Sequence, residues 1–246
     1  MVPTTQAVRA DEHLHRLYAD YAALPVGIVT QCAQNHAAMV HAAWLELPGR
    51  TWAERARAFY EDGEECLFDL LSQDPSREAR LGAREADGSW AWWKGAGPRV
   101  LDYGGGLGLT SSLLRDAGKQ VTYVDVDGAI ARFASWFFTG AGQADVEVVT
   151  GGAVDVAVPR ERTFDLVLAE NVLEHVTDPV ALVEALVRAT GTQGLLCLRV
   201  DPRPATLAEP QRRELSVEQL LRRSAALRAL EHVQCSDDGR HVFRRA

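Results

Sequence analysis

The sequence is short of several residue types, and each shortage excludes something. Its 246 residues hold four cysteines, two methionines and, among 26 basic residues, only two lysines, Lys94 and Lys119. Cys32, Cys66, Cys197 and Cys235 form no CxxC pair, so neither a redox dithiol nor a disulfide scaffold is expected. No apolar run approaches the ~18–20 residues of a membrane span. The opening stretch MVPTTQAVRADEHLHRL has no apolar core followed by small residues. The expectation is therefore a cytoplasmic chain with no export signal and no membrane partner. An excess of positive charge is also missing. Acidic residues outnumber basic ones 34 to 26, for a net charge of -8, the reverse of a nucleic-acid footprint. From Arg199 onward ten arginines face seven acidic residues, which reads as a solvated face. What remains is ordinary: 47% hydrophobic and 24% charged residues, a globular composition. The preference for arginine over lysine, with abundant alanine, fits a GC-rich genome of the actinomycete kind.

The texture changes near residue 95. Before it, helical spacing dominates, with helices expected over 4–23, 25–47 and from Thr51 to about Ser72. Thr51 and Glu54 make a capping-box pair at the start of the third. Asp74-Pro75 permits a further helix start, and 88–97, with Trp90, Trp92 and Trp93, reads as an aromatic linker. After it, short Val/Leu/Ile runs alternate with helical stretches. Strands are expected over 99–102, 120–125, 146–150, 164–169 and 195–200, with helices over 108–117, 128–139 and 179–190. Such alternation predicts a parallel sheet covered on both faces. A helix over 216–229 and a hairpin around Asp237-Asp238-Gly239 follow. The fold class is α/β: a doubly wound, mostly parallel sheet with a C-terminal antiparallel hairpin, preceded by an N-terminal helical cap. The expected division is a cap and substrate region over 1–95 and a cofactor-binding core over 96–246.

The segment Val100-Leu101-Asp102-Tyr103-Gly104-Gly105-Gly106-Leu107-Gly108 carries the most chemistry. An apolar strand runs into Asp102 and then into glycines at alternate positions. Without a Cβ, each lets a ligand approach the backbone at the crevice where a doubly wound sheet binds its ligands. The dinucleotide spacing G-x-G-x-x-G fails, because Leu109 stands at its third glycine, and no phosphate-binding G-K-[ST] follows. Asp125, about twenty residues on at the end of the second strand, can accept hydrogen bonds from both hydroxyls of a ribose. Together these imply a nucleoside-containing ligand without a demanding phosphate site.

At this point the sequence resembles the class I S-adenosylmethionine-dependent methyltransferases, over about residues 98–200. The D-x-G-x-G-x-G of 102–108, Asp125, and the stretch from Phe164 to Val176, similar to the FDLV...LEHV signature of a small-molecule subgroup, carry the resemblance. It implies S-adenosylmethionine as cofactor. Asp102 would then orient its amino group, Gly104, Gly106 and Gly108 would admit it, and Asp125 would bind the ribose. Val126 would pack on the adenine, and Glu170 and Asn171 would lie beside the methionine portion. Two departures stand out. Gly152 occupies a position usually acidic, so with Ala153 it would offer the adenine only backbone contacts. The usual P-G-G turn before the fifth strand is Thr192-Gln193-Gly194.

Three residues are candidates for acid–base work: His175, Glu170 and His36. A histidine near the reactive end of the cofactor suits deprotonation of a nucleophile. Cys32 and His36 are four apart on one expected helical face, with His41 poorly aligned, and no metal site is expected. Tyr18, Tyr21 and Tyr60 read as packing residues and Cys197 as core. Arg203, Arg212 and Arg213 could hold an anionic group. The resemblance implies methyl transfer to a small molecule, of the kind found in antibiotic biosynthesis. The alternative is a member of the fold that catalyses cyclisation, elimination or rearrangement. Whether a homodimer or a partner subunit completes the site stays open.

Overall fold

The computed structural model describes residues 5–47, 49, 51–72, 93–151, 157–200, 215–236 and 239–246. Five helices lead: α1 (Thr5–Ala22), α2 (Val26–Gln34), α3 (His36–Glu46), α4 (Trp52–Asp62) and α5 (Glu65–Ser72). There follow β1 (Arg99–Tyr103), α6 (Leu109–Asp116), β2 (Gln120–Val126), α7 (Ala129–Gly140), β3 (Glu147–Gly151) and β4 (Phe164–Glu170). A single 3-10 turn (Leu173–His175) precedes α8 (Pro179–Ala189) and β5 (Thr190–Arg199). The chain ends with α9 (Val217–Arg223), α10 (Ala225–Arg228), β6 (Glu231–Cys235) and β7 (His241–Arg244).

The seven strands form one sheet in the order β3-β2-β1-β4-β5-β7-β6. The first five are parallel, and β7 and β6 add antiparallel. The expected doubly wound sheet with a closing hairpin is thus what forms. Its order reverses between β1 and β4, which places the ligand crevice at the carboxyl ends of those two strands. The strands are near-continuous apolar runs because helices cover both faces. One face packs Leu101, Val167, Leu196 and Leu198 against Val183, Leu186 and Leu220. The other packs Val100, Leu166, Leu168 and Cys197 against Leu114, Ala131 and Phe138. Cys197 is fully buried, as expected of a core residue.

Three expected helices are each broken in two. The stretch 25–47 bends at Asn35, whose side chain donates to the Gln31 carbonyl 2.8 Å away. The stretch 51–72 stops at Gly63, which has extended backbone. Ser224 ends α9 and starts α10, its hydroxyl accepting from the Leu227 amide at 3.2 Å. In each case a residue that bonds locally or lacks a Cβ overrides the apolar spacing. The capping box forms as read: the Glu54 amide donates to Thr51 Oγ1 at 3.3 Å, and the Thr51 amide donates to Glu54 Oε2 at 3.0 Å. The tract 73–92 and Asp237-Asp238 lie outside the described residues.

The N-terminal helices are not a separate lobe on a stalk. Leu14, Tyr18, Val29, Phe59, Leu67 and Phe68 share one buried cluster with Leu107 of the glycine loop and with Ile130 and Phe133 of α7. One close approach is at Gly128, just before α7. A Cβ there would lie well inside contact distance of the Tyr60 carbonyl oxygen. The end of α4 therefore rests on the bare backbone of Gly128. No helix among the described residues is long and apolar enough to cross a membrane.

Candidate functional site

The glycine loop leaves β1 through a series of left-handed residues. Gly104, Gly106 and Gly108 have φ of 70°, 56° and 78°, values an L-residue adopts only at a cost. Each answers a different neighbour. A Cβ at Gly104 would lie 2.5 Å from Val172 Cγ2, and one at Gly108 would lie 2.6 Å from Phe138 Cζ. At Gly106 it would meet only Leu70 of α5, at 3.6 Å. Gly104 and Gly108 are thus demanded by packing, while Gly106 faces a space roofed by the N-terminal helices.

Asp102 and Asp125 organise this loop from beneath. Asp102 is buried, and its Oδ2 accepts from Ser111 Oγ at 2.6 Å, tying the strand end to the first turn of α6. Asp125 accepts from the Gly106 amide at 2.9 Å and from the Val126 amide at 2.7 Å. The Tyr123 hydroxyl donates to the Gly106 carbonyl at 2.8 Å. Asp125 therefore lies directly under the loop and holds it through the Gly106 amide. Burial pushes the Asp125 pKa up from 3.8 to about 6, against the lowering effect of the Gly106 and Val126 amides and the Tyr123 hydroxyl. Because the folded value lies above the unfolded one, ionising Asp125 opposes folding. The stability from this group is full below the unfolded value and is lost as pH rises through 6.

The turn after β4 brings the candidate base to the loop. Val172 touches Gly104, and three residues later His175 Nδ1 lies 2.9 Å from the Tyr60 hydroxyl. Their rings meet edge to face, with centroids 5.7 Å apart. His175 ends the 3-10 turn. Tyr60, read from the sequence as packing, is its partner from the opposite side of the crevice. Burial first, then the nearby Cys66, Asp69, Glu174 and Asp125, holds the Tyr60 phenol well above its ordinary pKa, so it stays protonated. Asn171, between Glu170 and this turn, has φ 54° and a buried Oδ1 with no hydrogen-bond partner among the described residues.

Glu170 and His36 are placed differently from the acid–base roles expected of them. Both Glu170 oxygens are engaged by Arg240, from Nε at 2.7 Å and Nη2 at 3.1 Å. Arg240 is 1% exposed and among the largest fully buried side chains. A carboxylate so paired is a structural anion, not an acid–base catalyst. His36 sets Nδ1 against the Ala33 carbonyl at 2.8 Å and Nε2 against Asp69 at 3.5 Å, bracing the α2–α3 corner on α5. Cys32 and His36 lie on two helices, not one. Gly152, Ala153, Arg203, Arg212 and Arg213 lie outside the described residues. Among the described residues no group of three or more His, Cys, Asp or Glu side chains is arranged to hold a metal.

The family described as "Methyltransferase domain" matches residues 67–244 of this chain. A ubiquinone biosynthesis O-methyltransferase of Xanthomonas oryzae pv. oryzae is 36% identical over 104 residues, 42% of this chain and 43% of that protein. One of the same description from Xanthomonas campestris pv. campestris is 33% identical over 115 residues, 46% of this chain and 48% of that protein. The match spans under half the length of these relatives. A solved mitomycin 7-O-methyltransferase aligns with a TM-score of 0.52 at 22% identity, over 74% of this chain and 57% of that chain, which shows a shared fold.

Proposed function

The chain belongs to the methyltransferase domain family, and on that premise we propose that it transfers the methyl group of S-adenosylmethionine to a nucleophile on a small molecule. One observation carries the reading: the Asp125 carboxylate lies under a loop of three left-handed glycines and accepts from the amide of Gly106, where a Cβ would meet only Leu70, at 3.6 Å. The residues present fit the cofactor. Asp125 would accept from the ribose hydroxyls, Gly106 would let the backbone approach, Val126 would pack on the adenine, and the orphaned Asn171 Oδ1 would accept from the ammonium of the methionine portion. When bound, S-adenosylmethionine supplies a methyl group on a positively charged sulfur, already activated for displacement. The protein then has to orient the acceptor in line and keep water out. The helices before β1, packed over the loop through Leu70 and on Gly128 through Tyr60, would do the second.

His175 would remove the acceptor's proton at Nε2. For that, Nδ1 must carry a proton and donate it to the Tyr60 oxygen, which the 2.9 Å contact allows. The finer reading is O-methylation in bacterial secondary metabolism, within the cytoplasm. The relatives' descriptions support oxygen as the nucleophile. The experiment is product mass and S-adenosylhomocysteine release with a panel of catechols and phenolic acids. The expected product gains one methyl group. His175→Ala is expected to lower kcat by about 10²–10⁴-fold, the usual contribution of a general base. Tyr60→Phe should lower kcat less and shift the pH profile of kcat, while leaving cofactor affinity unchanged. Unaltered turnover in His175→Ala would remove the histidine from the mechanism.

A further inference from the structure

Beyond the glycine loop, the carboxyl edge of the sheet carries a row of charged side chains. Asp102 pairs with Leu168, so two residues further Gly104 is level with Glu170. Glu170 pairs with Arg199 on β5. Leu198 pairs with His241, so Arg240, just before β7, is level with Arg199. Alternation along β5 puts Arg199 on the same face as Cys197, whose Sγ is 3.5 Å from Glu170 Oε1. Running away from the loop, the row reads Glu170, Arg199, Arg240.

Arg240 reaches across β5 and takes both oxygens of Glu170. Arg199 is left with no ion pair among the described residues, and its Nε is buried without a hydrogen-bond partner. The Arg199 guanidinium is thus half-buried at the carboxyl edge of the sheet with no ion-pair partner among the described residues. Burial pushes the Cys197 thiol pKa up, and Glu170 adds to this, while both Arg240 and Arg199 pull it down, so both guanidiniums lie near that thiol. A buried guanidinium nitrogen without an acceptor is costly unless a ligand supplies one.

We propose that Arg199 binds a carboxylate of the methyl acceptor, so that the substrate is an organic acid held by its anionic end while its nucleophile faces the glycine loop. This rests on the methyl-transfer reading for the word acceptor, though not for the anion site itself.

The test is calorimetric titration with protocatechuate, an aromatic acid, and with catechol, its neutral counterpart, in the presence and absence of S-adenosylhomocysteine. The wild type is expected to bind protocatechuate more tightly than catechol. Arg199→Gln should weaken protocatechuate by about ten- to a hundredfold, the loss expected for a hydrogen bond to a charged group. It should leave catechol and S-adenosylhomocysteine affinities unchanged. Arg199→Lys should retain part of the preference for the acid. Equal affinity of wild type and Arg199→Gln for protocatechuate would overturn the proposal, as would a wild type that binds neither compound or prefers catechol. A wild type that ignores S-adenosylhomocysteine but still loses protocatechuate on Arg199→Gln would sink the methyl-transfer reading and keep the anion site.

Discussion

Arg240→Ala is expected to destabilise the protein by about 3–5 kcal/mol, the loss typical when one member of a buried ion pair is removed. Arg240 is 1% exposed, and the Glu170 side chain is 19% exposed. Truncation would leave a carboxylate desolvated beside Leu168 and Cys197 with its two charged hydrogen bonds gone. Urea unfolding checks the magnitude through a shift in midpoint without a change in slope. The double replacement Arg240→Met with Glu170→Gln removes both charges and should recover most of the loss, because the penalty belongs to the stranded charge. That outcome separates a structural anion from a catalytic one. If Glu170 were an acid–base group, Glu170→Gln alone would abolish turnover whatever Arg240 became.

The second large effect is at Gly104. Gly104→Ala places a Cβ 2.5 Å from Val172 Cγ2 at a φ of 70°. The left-handed backbone costs about 1–2 kcal/mol and the overpacking about 1–3 kcal/mol, roughly 2–5 kcal/mol together. Relief can come only by moving Val172, and with it the turn that carries His175. Stability and cofactor affinity should therefore fall together. Gly106→Ala provides the contrast. Its Cβ meets only Leu70 at 3.6 Å, so the backbone strain is the main folding cost, yet the methyl stands in the space assigned to the ligand. Thermal unfolding and S-adenosylhomocysteine titration on the two variants distinguish them. Gly104→Ala loses both stability and binding, and Gly106→Ala loses mainly binding.

What was legible in the sequence was local. The strands were visible because a sheet covered on both faces needs short apolar runs. The loop was visible because three left-handed positions within five residues require glycine. Asp125 was visible because the strand that precedes it fixes where it ends. The Thr51 and Glu54 cap could be read from two residues at fixed spacing. The unread parts depend on groups distant in the chain. Tyr60 and His175 are 115 residues apart, and Glu170 and Arg240 are 70 apart. Nothing in the spacing around Arg240 marks it as buried, since an arginine beside a hairpin turn is ordinarily solvated. Its only signal is that Glu170 ends a central strand and needs a cation. The broken helices failed for the opposite reason: Asn35 and Gly63 are weak punctuation within convincing apolar periodicity, and the packing of α3 on α5 and of α4 and α5 on α7 decided the outcome.

The central claim is that the crevice over Asp125 holds the ribose of S-adenosylmethionine. Calorimetric titration of S-adenosylhomocysteine into the wild type and Asp125→Ala tests it most directly. The wild type should bind with micromolar affinity at neutral pH, and more weakly as pH falls through about 6, where the buried carboxylate takes a proton and loses an acceptor for the ribose hydroxyls. Asp125→Ala should show no saturable binding while retaining a cooperative unfolding transition. Binding by a folded Asp125→Ala as tight as the wild type's, or no binding by the wild type at any pH, would contradict the account.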